Sequence, residues 1–326
     1  MKEQKPFINF ETLKELSDFD TLEQNDYISE SKLQEFNYLF PTFPTKTLGC
    51  LVSEGGTGKS FFALNLALNY ACGRNLLAKL DPKFKIKENI NVGYLSLEDN
   101  KIVVSHRLHA LINSPVNNFS DSEKDEISKR FATIFNKSSI DISTDKFKKE
   151  AKINSMKAIN DLIKIASNFD LFFIDTFIRV HTSNENDSSE MSEVIKKLEF
   201  IKDKADCSVI FLHHVNKEGG FRGSSAIRDN CRWLASLTNA VEEEINENKP
   251  DVKKYVVFKV EKSNNSVISK PMMFKKELFS SSNKKVNSIV LKDVSDKYKE
   301  KEQTNNKRST KKWKLEYQKK MMIIKK

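Results

Sequence analysis

No uninterrupted apolar run in this sequence is long enough to cross a bilayer, which takes roughly 20 residues. The opening stretch MKEQKPFINF lacks the apolar core of a signal peptide. Cysteine is sparse. Cys50, Cys72, Cys207 and Cys231 stand far apart and form no C-x-x-C pair, which argues against a disulfide framework. Reduced thiols, most of them in core strands or helices of a cytoplasmic protein, are expected instead. Glycine is scarce too, with nine in 326 residues, yet three of them fall between positions 55 and 58. The length allows one large domain or two modest ones with a full core.

Charge is unevenly placed. The chain carries +10, and residues 297–326 alone carry +9. Residues 296–326 therefore read as a basic tail, which has two meanings. It is a solvated, disordered end, or it is an arm for nucleic acid in which Lys311 and Lys312 meet phosphates and Trp313 and Tyr317 stack on bases.

The glycines cluster at the head of the informative stretch, LGCLVSEGGTGKSFFALNLAL, residues 48–68. An apolar run, Leu48 to Val52, stops at a small polar loop, and Lys59-Ser60 open a segment with helical spacing (Phe61, Leu64, Leu68). Strand, glycine-rich loop and helix in that order form the setting of a phosphate-binding P-loop. Glu54, Gly55, Gly56, Thr57, Gly58, Lys59, Ser60 and Phe61 are the expected nucleotide contacts. The glycines let successive N–H groups turn toward an anion, Lys59 adds a movable charge, and Ser60 offers a hydroxyl to Mg²⁺. Ser53 stands where the usual pattern begins with glycine.

Downstream, residues 91–97 read as a strand ending in Glu98-Asp99, followed by a helix over Lys101 to Ile112. Residues 113–150 are polar and broken, with helical pieces near Glu123–Phe135 and Asp145–Lys152. A helix over Met156–Ser167 leads to a strand, Leu171 to Asp175. A buried acid at a strand end needs a cation or hydrogen-bond partners. Asp175 is expected on the strand beside the P-loop strand, holding Mg²⁺ water opposite Ser60. Glu98, one strand over, is placed to take a proton from a water attacking the γ-phosphate, which favours hydrolysis over phosphoryl transfer. Asp99 assists, or only begins the helix.

A helix over Ser188–Lys204 precedes a strand, Ser208 to Leu212, that ends in His213-His214. Adjacent residues on a strand face opposite ways, so one histidine faces the ligand crevice and the other the core. Three strands near Tyr255–Val260, Lys270–Phe274 and Ser288–Leu291 alternate apolar and polar, as an antiparallel extension would.

The series GGTGKS, YLSLED, SHRLHAL, FFIDTFIRVHTSNEN, VIFLHHVNK, FRGSSAIRDNCRW and VEKSNNS resembles the RepA family of plasmid-replication helicases over residues 45–275. The resemblance implies an α/β fold: a RecA-like P-loop NTPase core with a mostly parallel twisted sheet, flanking helices and an antiparallel C-terminal extension. It implies ATP and Mg²⁺ as cofactors, with Glu98 as catalytic base, Asp175 and Ser60 at the metal, and His214 as the phosphate sensor. It also implies Arg222 as a finger reaching a neighbouring subunit's nucleotide, and Lys262 as its companion. DnaB-type relatives carry Lys-x-Arg there, whereas Asn264 takes the arginine's place here. The loop Val215–Phe221, where such ATPases contact DNA, offers only Lys217.

The expected organisation is a leader over residues 1–44, an ATPase domain over 45–295 and the tail. The expected function is a ring-forming motor, of hexameric type, acting on single-stranded DNA and not on a membrane. A loading factor that uses ATP only as a switch, and a P-loop kinase, are the competing readings.

Overall fold

The computed structural model describes residues 36–86, 89–136, 139–143, 149–214, 226–264, 266 and 270–300. The chain divides into two units, Met1–Asn37 and Tyr38–Lys326, and the architecture described belongs to the second. Its strands are β1 (Tyr38–Phe40), β2 (Phe43–Pro44), β3 (Leu48–Ser53), β4 (Val92–Ser96), β5 (Phe131–Phe135), β6 (Leu171–Asp175), β7 (Ser208–His214), β8 (Trp233–Asn239), β9 (Tyr255–Ser263), β10 (Met272–Ser280) and β11 (Asn287–Asp293). The helices are α1 (Lys59–Ala71), α2 (Lys101–Asn113), α3 (Asp121–Arg130), α4 (Lys149–Ala166), α5 (Ser188–Ala205) and α6 (Ala226–Asn230).

Nine strands form one sheet in the order β11-β10-β9-β8-β3-β7-β6-β4-β5. The six from β8 to β5 run parallel, whereas β8, β9, β10 and β11 pair antiparallel in turn. The inner strands β3, β4 and β6 are buried along their whole length, as parallel strands covered on both faces must be. One apolar cluster joins the sheet to α1, α2 and α3. A second joins the opposite face to α4, α5 and α6. The hairpin β1–β2 closes the first cluster. Phe40 and Phe43 stack at 4.7 Å and both meet Trp233 edge-on, while the Trp233 Nε1–H donates to Thr42 Oγ1 at 3.0 Å. Burial of each such ring contributes roughly 1.5–3 kcal/mol.

Three expectations from the sequence are corrected. The strand beside the P-loop strand is not the one carrying Asp175. β7, with the two histidines, lies between β3 and β6. Strand order is a long-range choice that local pattern does not encode. The helical piece expected near Glu123–Phe135 is divided: α3 ends at Arg130, and Phe131–Phe135 is an edge strand parallel to β4. The β-branched and aromatic residues of FATIF pair better on a sheet edge than they extend a polar helix. The pieces expected near Asp145–Lys152 and Met156–Ser167 also join, with α4 running from Lys149 to Ala166.

At the C-terminal end the chain is tied down further than charge alone suggests. Tyr298 bridges to Ile245, the Lys299 N–H donates to the Glu244 carbonyl at 2.7 Å, and Lys297 pairs with Glu247. Among the described residues no helix is long and apolar enough to cross a membrane.

Candidate active site

Helix N-termini leave N–H groups without intrahelical partners, and side chains usually fill that need. Asn100 caps α2, Ser120 and Glu123 form a capping box on α3, and Asp187 caps α5. Helix α1 has no side-chain cap. It begins at Gly58, with φ of +111°, two residues after Gly56 at +78°; only glycine takes both conformations without strain. Nothing lies within 4 Å of where a Cβ on Gly55 or Gly56 would stand, so the loop mouth is open. The open donors of α1 therefore face a cradle.

Three polar atoms around that cradle are buried without a hydrogen-bond partner: Thr57 Oγ1, Lys59 Nζ and Asp175 Oδ1. Burial lowers the Lys59 ammonium from its ordinary range, against the pull of Asp175, Cys50 and Glu98. Burial raises the Asp175 carboxyl, opposed by the Tyr94 hydroxyl that donates to it, by the nearby Ser60 hydroxyl and by the Lys59 charge. An unmatched ammonium and an unmatched carboxylate oxygen are costly in a protein interior. A nucleotide phosphate against Lys59 and the loop, and Mg²⁺ with its water shell against Ser60 and Asp175, answer both needs. The residues present fit both groups. The metal would neutralise charge on the phosphate oxygens.

The register sets the remaining groups. Ser96 on β4 is level with Asp175 on β6, and Ser53 on β3 is level with His214 on β7. All four strands thus end at the same edge, where open α/β sheets bind ligands. His213 turns inward: it is 1% exposed, meets the Phe177 ring edge-on at 5.6 Å, and sets Nδ1 3.7 Å from Glu185 Oε1. His214 is 30% exposed on the other face, with Nε2 3.9 Å from Glu98 Oε2. Asp99 is engaged by Arg107 at 2.5 Å, and Asn100, not Asp99, caps α2.

A model of the AAA domain matches residues 13–220, more than half of the sequence. The chain belongs to the AAA domain family. It is an AAA-type P-loop ATPase domain built on a mostly parallel α/β sheet. Similar solved structures include the crystal structure of the KaiC-like protein PH0186 from the hyperthermophilic archaeon Pyrococcus horikoshii OT3. The identity is 17% and the TM-score 0.47, over 76% of this chain and 90% of that one. The crystal structure of the RadB recombinase aligns at 17% identity and a TM-score of 0.42, over 71% of this chain and 87% of that one.

This AAA domain brings Glu54, Gly55, Gly56, Thr57, Gly58, Lys59, Ser60 and Phe61 together on the loop and first turn of α1, with Glu98, Asp175 and His214 around them. Lys262 lies at the end of β9, where its Nζ donates to the carbonyls of Arg228 and Asp229 at 3.0 and 3.1 Å. Arg222, Lys217, Lys311, Lys312 and Trp313 lie outside the described residues. Two residues had no role in the sequence reading. The Tyr94 hydroxyl donates to Asp175 Oδ2 at 2.5 Å, and the Arg107 guanidinium stands 4.7 Å from the Phe61 ring centre while it holds Asp99. Both sit inside the motifs YLSLED and SHRLHAL, whose pattern marks the segments without saying where the side chains meet.

Proposed function

We propose that this AAA-type ATPase is a ring-forming motor acting on single-stranded DNA, a replicative helicase of a plasmid or other mobile element. The carrying observation is the Glu98–His214 pair at the mouth of the cradle. A carboxylate there has no phosphate to bind; its use is to accept a proton from water, which makes hydrolysis the reaction. Lys59 and the α1 donors hold the phosphates, and His214, beside Glu98, reads whether the γ-phosphate is present. Arg222 of a neighbouring subunit completes the site by stabilising charge in the transition state, which makes turnover depend on the ring. The DNA role rests on the ordered motif series shared with the RepA family and on the basic tail.

One observation favours a second reading. The loop at residues 215–221 offers a strand of DNA just one basic residue, Lys217. That suits a loading factor switched by ATP better than a processive motor. ATPase rates with and without single-stranded DNA, strand displacement from a forked duplex, and particle images separate the two. DNA-stimulated hydrolysis by ring particles that displace a strand supports the motor. Nucleotide-dependent DNA binding without displacement supports the loader, and phosphate on an acceptor other than water would point to a kinase.

A further inference from the structure

Strand alternation places Phe274 and Lys276 of β10 on one face of the sheet. That face covers α1: the Phe274 ring meets Phe62, in the first turn of α1, edge-on at 5.3 Å. One step along the same face, Lys276 arrives at the start of the helix. A Cβ on Gly58 would stand 4.0 Å from Lys276 Cε. The lysine is half-buried, and among the described residues no carboxylate pairs with it. Its Nζ reaches only the amide oxygen of Asn239, at 3.4 Å. Burial alone pulls its ammonium below the ordinary lysine range. A half-buried cation beside an anion-binding loop, with a neutral amide as its partner, is placed to take an anion.

Its position selects which part of the anion it meets. Glu98, Asp175 and His214 approach the loop from β4, β6 and β7, on one side of β3. Lys276 approaches from β10, on the other side of β3. Catalytic groups gather where the γ-phosphate is cleaved, so the opposite side belongs to the phosphates that stay with the nucleoside. We propose that Lys276 is a further nucleotide-binding residue, whose ammonium contacts the α/β-phosphates of the bound nucleoside di- or triphosphate. This rests on the P-loop site described above and adds a contact from the antiparallel extension. That extension then serves the site directly and is more than a lid on the core.

The test is equilibrium binding of ADP to the full chain, and of ATP in a Glu98→Gln background that prevents turnover. Lys276→Met keeps the apolar stem, and Lys276→Arg keeps the charge. Lys276→Met should weaken ADP and ATP by the same factor, about tenfold, the scale of one charge-assisted contact. It should also lessen the salt dependence of ADP binding, and Lys276→Arg should recover most of the affinity. A purely structural lysine would change the melting temperature but not this pattern. Unchanged ADP affinity in Lys276→Met, or a loss confined to ATP, overturns the assignment. Lys59→Ala is measured alongside. If wild type binds and Lys59→Ala does not while Lys276→Met matches wild type, only the Lys276 contact fails. If wild type binds neither nucleotide, the site itself fails.

Discussion

His214 Nε2 lies 3.9 Å from Glu98 Oε2, although β6 runs between the strands that carry them. Neighbouring strands are about 4.8 Å apart, so the two side chains lean toward each other over the end of β6, where Asp175 stands. The imidazole and the carboxylate share one corner of the cradle, and the Glu98 charge is felt at Lys59.

That corner separates binding from turnover. Lys59→Ala should lose nucleotide binding and hydrolysis together, because the buried ammonium is the charge that meets the phosphates. Glu98→Gln should keep ATP affinity near wild type and lower turnover by roughly 10²–10⁴, the scale of general-base catalysis. Paired measurements of affinity and single-turnover rate check this. Hydrolysis by Glu98→Gln at near the wild-type rate would remove Glu98 from the role of base.

Asp175 gives a prediction in pH. Burial raises its carboxyl above the ordinary aspartate range, so the nucleotide-free native state holds its proton more tightly than the unfolded chain does. Stability from this group is therefore full below about pH 4 and is lost as pH climbs through the raised native value. Asp175→Asn removes that loss. At neutral pH and without nucleotide, the variant should melt a few degrees higher than wild type, about 2–4 °C for each kcal/mol relieved in a domain of this size. The gap should close as pH falls toward about 4. Addition of Mg²⁺ and ADP should raise the wild-type melting temperature more than the variant's. A gap that widens on acidification would contradict the sign argued here.

The parts of this structure that were readable in the sequence are those fixed by local pattern. The GGTGKS loop announces itself because three scarce glycines and a lysine stand between an apolar run and a helical one. The short apolar runs ending in Glu98, Asp175 and His214 read as buried strands because roughly four to seven apolar residues in a row suit little else at that length. The alternation in Tyr255–Val260 and its successors likewise marked the antiparallel extension. What stayed hidden depends on neighbours distant in the chain. Insertion of β7 between β3 and β6 is a matter of crossover connections. The pairing of Tyr94 with Asp175 needs the β4–β6 register. Lys276 lies past the strand read over Lys270–Phe274, and it gains a place only when β10 is seen to run on to Ser280 with Phe274 packed on Phe62.

Shared active sites predict complementation. If Arg222 reaches a neighbour's nucleotide, Arg222→Ala should reduce turnover by roughly 10³ or more with little loss of ATP affinity. Lys59→Ala subunits retain Arg222, and Arg222→Ala subunits retain Lys59, so a mixed ring contains some interfaces with both groups intact. Titration of one inactive variant into the other should restore measurable hydrolysis. Subunit exchange demonstrated by labelled protein, with no recovery of activity, would mean that each site is built within one chain.

The basic tail predicts a salt dependence. Lys297 and Lys299 are held against Glu247 and Glu244 by an ion pair and a backbone hydrogen bond, so a truncation that spares the fold begins after Glu300. Residues 301–326 still carry a net +8 of the chain's +10, including Lys311, Lys312 and Lys314 around Trp313. Each phosphate neutralised on a single strand releases counterions, giving a slope of log affinity against log salt of roughly −0.7. Removal of residues 301–326 should therefore weaken binding to single-stranded DNA at low salt and flatten that slope by several such steps. Hydrolysis measured without DNA should persist, because the loop, Glu98, Asp175 and His214 all lie upstream. Trp313→Ala in the full chain should lower affinity with little change in slope, since stacking releases no counterions. A truncated protein with the same affinity and the same slope as the full chain would leave the tail as a solvated end and put any DNA contacts elsewhere in the protein.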